Sequence, residues 1–135
     1  MEDRMSILIW SLLCAALLVI LSKAPAMFFI NRETTGYDNH HPREQQAQMK
    51  GAGARALAAH QNTIESFPLF AAGILVAELA AEAHLLSATL AVAFIVARVL
   101  YIVCYVKDMA TLRSLVWAAG YLCSIGLILA PWYAG

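Results

Sequence analysis

Charge is scarce in this sequence, and what there is cancels. Nine Lys and Arg side chains stand against nine Asp and Glu in 135 residues, so 13% of the chain is charged and the formal net charge is zero. A neutral chain carries no overall basic field, which excludes the electrostatic footprint of a nucleic-acid binder. Cysteine is equally sparse. Cys14, Cys104 and Cys123 are odd in number and all fall in apolar runs, which argues against a disulfide framework and leaves them as small apolar filler. Histidines at metal-ligand spacing are missing: His40 and His41 adjoin, but His60 and His84 lie on other elements, so no metal is expected and the pair reads as solvated. The basic n-region of a cleavable signal is missing too, because Met1 to Met5 holds Glu2 and Asp3 beside a single Arg4. The first apolar run is therefore read as a retained anchor.

Apolar residues make up what is there, 61% of the chain. Crossing a hydrocarbon core of about 30 Å takes roughly 20 apolar residues as a helix, and several runs approach that length. Four spans are expected, at residues 6–22, 62–81, 85–106 and 115–133, giving an all-α membrane protein: one four-helix domain over residues 1–135. Between the first two spans lies a long connection, residues 23–55, which starts apolar at Ala26 to Ile30 and turns polar from Thr34 to Pro42. Pro42 opens a stretch of helix-forming composition, so a short helix is expected over Arg43 to Lys50, with a break at Gly51 and Gly53. Pro68 is expected to kink the second span. Glu78, Glu82 and His84 read as a solvated exit.

Basic residues set the orientation. Lys23, Arg32, Arg43, Lys50, Arg55, Lys107 and Arg113 all fall in the connections after spans one and three, against Arg4 on the other side. The positive-inside rule then puts those connections in the cytoplasm and both termini outside.

Ionisable groups inside the spans are the functional signal, because a charge in hydrocarbon costs several kcal/mol unless it is paired or used. Asn62 and Glu65 enter with span two; Arg98, Tyr101 and Tyr105 share one face of span three, and Arg113 leads into span four. At about 1.5 Å per residue, Glu65 and Arg98 reach a common depth from the cytoplasmic side, which makes Arg98 the natural partner of Glu65. Such a pair either locks two helices together or floors a ligand pocket. Spacing leaves both open.

The motifs go further. The stretch Arg55 to Phe70 with its Asn62-x-x-Glu65 and Phe67-Pro68-Leu69-Phe70, then Arg98-Val99-x-Tyr101-x-x-x-Tyr105, then Arg113-Ser114, resembles the MAPEG family, the membrane-associated proteins in eicosanoid and glutathione metabolism, in a form similar to its bacterial members. The resemblance implies a homotrimer in the bacterial inner membrane, with glutathione as cosubstrate held near the cytoplasmic face. It implies that Asn62, Glu65, Tyr101, Tyr105, Arg113 and Ser114 line that site, that Arg113 stabilises the glutathione thiolate, that Tyr101 supplies a proton or orients the acceptor, and that Arg98 pairs with Glu65. Lipophilic electrophiles would arrive from the bilayer. Many eukaryotic members carry an arginine four positions before the Asn, where this chain has Ala58; Arg55, Lys23 and Arg32 are candidates to compensate. The function so implied is that of a glutathione transferase or peroxidase. A small proton-coupled exporter using Glu65 and a noncatalytic membrane scaffold are the alternatives.

Overall fold

The computed structural model describes residues 6–80 and 85–133, and these form six helices: α1 (Ile7–Leu21), α2 (Lys23–Glu33), α3 (Pro42–Ala47), α4 (Gly51–Leu79), α5 (Leu85–Val106) and α6 (Ala110–Tyr133). Four helical segments, with α1 and α2 counted as one, are long and apolar enough to cross a membrane. Large apolar side chains such as Leu17, Ile20, Leu79, Leu100 and Leu122 point outward, as they do where the solvent is lipid rather than water.

The chain starts α1 at Ser6, whose hydroxyl accepts from the Ile9 N–H at 3.2 Å and donates to Glu78 Oε2 at 2.8 Å. The start of α1 is thereby tied to the end of α4, so Glu78 is a fastening point rather than a solvated exit residue; Glu82 and His84 lie outside the described residues. α5 and α6 pack most extensively against each other, α4 packs on both, and α1 closes the bundle against α4 and α5. At the centre lie Leu8, Ala15, Phe70, Ile74, Ala77, Ala91, Phe94 and Leu127. Phe70 and Phe94 stack face to face at 3.9 Å, and Gly73 lets α4 approach the backbone of α6 at Ser124.

Two boundaries depart from the sequence expectation, and both make the connection after span one shorter. Lys23 and Pro25 read as a stop, yet α2 follows α1 directly, with only Ser22 between them. Pro25 falls in the first turn of α2, where a missing N–H costs least. The stretch expected as a connection over residues 23–55 is therefore mostly helix, and its non-helical parts are residues 34–41 and 48–50. The second span begins not at Asn62 but at Gly51, whose φ of 56° is a left-handed conformation that glycine adopts freely. Gly53 does not break the helix; it lies inside it, against Phe29 and Glu33 of α2. α4 also runs on through Pro68. Glu65 consequently sits about 21 Å along its helix rather than just inside the entrance.

The polar segment between α2 and α4 is built as a small folded cap. Gln45 accepts from the Asp38 N–H at 2.9 Å and donates to the Gly36 carbonyl at 2.7 Å and to Thr34 Oγ1 at 3.3 Å. Asp38 Oδ1 accepts the backbone N–H groups of His40 at 2.8 Å and His41 at 3.1 Å. His41 stays at the solvated surface, as expected, with its side chain 65% exposed, and its Nδ1 lies 3.5 Å from Asp38 Oδ2. The N–H bonds from His41 and His40 hold the Asp38 carboxyl below its ordinary range. A depressed folded pKa means that the stabilisation is present above the unfolded value and disappears as pH falls through the folded one. The cap is accordingly expected to loosen below about pH 4. Amide exchange at His40 and His41, corrected for intrinsic rates, should then accelerate, and protection that persists through acid pH would contradict this.

Candidate functional site

Two helical stripes face each other across a cleft between α4, α5 and α6. On α4 the stripe is Asn62, Glu65, Ser66 and Leu69; on α6 it is Trp117, Gly120, Tyr121 and Ser124. Both follow the i, i+3, i+4, i+7 spacing of one helix face. Phe94 and Arg98 of α5 form the back, and the space enclosed is about 170 Å³. Trp117 and Tyr121 stack on each other at 5.5 Å and are both partly exposed, so the outer wall of the cleft is aromatic.

Arg98 is the electrostatic centre of this cleft. It is 2% exposed, its Nη2 donates to Thr63 Oγ1 at 3.1 Å, and its guanidinium lies over the Tyr101 ring at 4.2 Å. The expected ion pair with Glu65 does not form: among the described residues no Lys or Arg side chain lies within ion-pair distance of a carboxylate. Glu65 lies at the exposed side of α4 and accepts from Gln61 Nε2, one turn earlier, at 3.2 Å. Thr63, on the adjoining face of α4, takes the guanidinium instead, and the π face of Tyr101 supplies the negative potential that a carboxylate would. Two buried polar atoms in the cleft have no partner, Arg98 Nε and Asn62 Oδ1. One is a donor and the other an acceptor, and buried groups of this kind ordinarily find partners. Both residues line the cleft, which thus holds one donor and one acceptor unpartnered among the described residues.

Tyr101, Tyr105 and Arg113 do not line the cleft. They continue from Arg98 toward the α5–α6 turn as one stack: the two tyrosine rings meet edge to face at 5.6 Å, and the Arg113 guanidinium lies over the Tyr105 ring at 4.3 Å. The turn makes this possible. Asp108 adopts a left-handed φ of 60°, Met109 N–H bonds back to the Cys104 carbonyl at 2.8 Å, and α6 starts at Ala110, which puts Arg113 in its first turn. Ser114 is exposed and donates to the Ala110 carbonyl at 3.2 Å.

The candidates to compensate for Ala58 are partly committed elsewhere. Arg55 donates through Nε and Nη2 to the Val106 carbonyl, both at 3.2 Å, where a cation satisfies the end of α5. Lys23 lies 5.7 Å from the centre of the Tyr37 ring. His60, next to the site on α4, bonds through Nδ1 to the buried Ser22 hydroxyl at 2.8 Å and so fixes α4 to the joint between α1 and α2.

Four helices long and apolar enough to cross a membrane, packed around a cleft that holds a buried arginine, fit an integral membrane protein. The chain matches the MAPEG family over residues 7–133, nearly its full length, and belongs to that family. No curated protein and no solved structure matches it.

Proposed function

We propose that this protein is a membrane-bound glutathione transferase or peroxidase that works as a homotrimer on lipophilic electrophiles. Members of its family generally use glutathione as a substrate. The observation that carries the reading to this chain is the cleft itself, where Arg98 Nε and Asn62 Oδ1 are buried without partners beside the Glu65 carboxylate. A peptide-like cosubstrate has what these groups lack: carboxylates for the guanidinium, an amide N–H for the Asn62 oxygen, and an ammonium for Glu65.

Assembly is part of the proposal. Glu65 and Gln61 are exposed on a membrane-crossing helix, and the hydrocarbon that would surround them satisfies neither. A second copy packed against this face of α4 covers them and turns the lateral cleft into an enclosed site. The site then opens to the cytoplasm through the basic connections, and the bacterial inner membrane fits that orientation.

In the chemistry proposed, glutathione held in the cleft extends out of it toward the α5–α6 turn, where Arg113 meets the sulfur and favours the thiolate over the thiol, which ordinarily titrates at about 8.5. The thiolate attacks an electrophilic carbon of a substrate that has entered along the Trp117–Tyr121 face; a carbon–sulfur bond forms and the leaving group departs with its electron pair. Tyr101 is buried against Arg98, so its role here is to hold that guanidinium. The test is conjugation of a generic aryl halide to glutathione by purified protein in lipid nanodiscs. Glutathione-dependent turnover is expected. No thiol-dependent turnover across a broad electrophile panel would overturn the enzymatic reading, and thermal stabilisation by glutathione without turnover would make the protein a binding scaffold.

A further inference from the structure

The stack from Arg98 to Arg113 contains two cations and two phenol rings, yet no carboxylate. The Arg113 guanidinium donates no hydrogen bond to, and forms no ion pair with, any described residue. The backbone N–H of Arg113 bonds to the Met109 carbonyl at 2.9 Å, and the one directional contact of its guanidinium among the described residues is the face of Tyr105 at 4.3 Å. Arginine side chains are rich in rotamers, so a free guanidinium at the first turn of α6 would sample many positions. Tyr105 is itself held. Its ring abuts Tyr101 at 5.6 Å and an interplanar angle of 81°, and Tyr101 is 5% exposed beneath the buried Arg98.

We propose that Tyr105 is a positioning residue that fixes the guanidinium of Arg113 through its ring face, with Tyr101 and Arg98 as the anchored base of the same stack. The hydroxyl of Tyr105 is dispensable for this task, because a cation over a ring is attracted by the quadrupole of the π system, which phenylalanine shares. The geometric claim stands independently of glutathione. Its consequence for chemistry rests on the proposed role of Arg113 beside the thiolate: a guanidinium free to swing away stabilises the sulfur less, and the thiol then ionises at higher pH.

Two measurements on the full chain in nanodiscs separate the claim from that reading. The first is the rate at which phenylglyoxal modifies Arg113, followed by mass spectrometry with exposed Arg43 as internal reference. Tyr105→Leu should speed modification of Arg113 by about threefold or more relative to Arg43, and Tyr105→Phe should keep the wild-type ratio. An unchanged ratio in Tyr105→Leu, or an equal rise in both variants, would overturn the proposal, whatever glutathione does. The second is the ultraviolet thiolate absorption of added glutathione as a function of pH. Tyr105→Leu should raise its midpoint by about half a pH unit, and Tyr105→Phe should keep it at the wild-type position. Ring-dependent labelling with no thiolate signal in the wild type would uphold the positioning by Tyr105 and sink the role of Arg113 in glutathione chemistry.

Discussion

Arg113→Ala is expected to lower glutathione-dependent turnover by about a hundredfold at neutral pH, the loss typical when one preorganised donor is removed from a developing or bound anion. The amount of folded protein recovered from membranes should stay near that of the wild type. Arg113 is half-buried and no described residue depends on its guanidinium for a hydrogen bond, so the fold loses one exposed cation–π contact and little else. The loss should also depend on pH. As pH rises past the ordinary thiol range near about 8.5, glutathione ionises unaided and the variant should regain part of the gap. A defect of the same size at every pH would mean that Arg113 acts on binding or folding rather than on the thiolate, and an unimpaired variant would remove it from the chemistry.

Gly73→Val is the second change expected to have a large effect, and it acts through packing. A Cβ at Gly73 would lie 2.9 Å from Leu127 Cβ and 2.9 Å from the Ser124 carbonyl oxygen. Neither obstacle yields easily, since one is the root of a fully buried side chain and the other is backbone. Overpacking of this kind costs about 1–3 kcal/mol, and here relief requires α6 to move away from α4. Ser124, Tyr121 and Trp117 ride on that helix, so the variant should lose both thermal stability in detergent and affinity for whatever fills the cleft. Gly126→Ala is the control. Its added Cβ would meet only the end of the Leu90 side chain, at 3.0 Å, which rotates. Equal stability of Gly73→Val and wild type would show that the α4–α6 contact is looser than this packing implies.

Much of the architecture is legible from hydropathy because lipid exposure makes the signal continuous. α5 covers Leu85–Val106, the range its apolar run marks, and α1 lies where the first run does, with Ser6 as its cap. The misread parts are those where local punctuation competes with helix continuation. Lys23 and Pro25 look like a stop, but proline in a first turn is harmless; Gly51 and Gly53 look like a hinge, but only Gly51 leaves the helical region. The Ala-rich stretch after them, Ala52 to Ala59, is helix-forming yet not apolar enough to stand out as a span.

The site divides in the same way. Asn62, Glu65 and Arg98 lie on one cleft, and their residue types announce them as unusual in a membrane. What pairs with what is a matter of rotation about the helix axis, which depth alone does not fix. A carboxylate two positions from Thr63 points about 200° away from it on a helix, so the guanidinium of Arg98 finds a hydroxyl where charge arithmetic pointed to Glu65. The α6 wall, Trp117, Gly120, Tyr121 and Ser124, escapes notice for a different reason. Its residues are individually ordinary, and only their i, i+3, i+4, i+7 spacing, matched by Asn62, Glu65, Ser66 and Leu69 on α4, marks a shared face.

Calorimetric titration of glutathione into the nanodisc-embedded protein tests the central claim most directly. A saturable heat is predicted for the wild type, weakened by Asn62→Leu, which removes the unpartnered acceptor in the cleft, and retained in Arg113→Ala, whose defect lies in the thiolate rather than in the peptide contacts. Absence of saturable binding by the wild-type protein, or binding indifferent to Asn62→Leu, would contradict the assignment of the α4–α5–α6 cleft as the glutathione site.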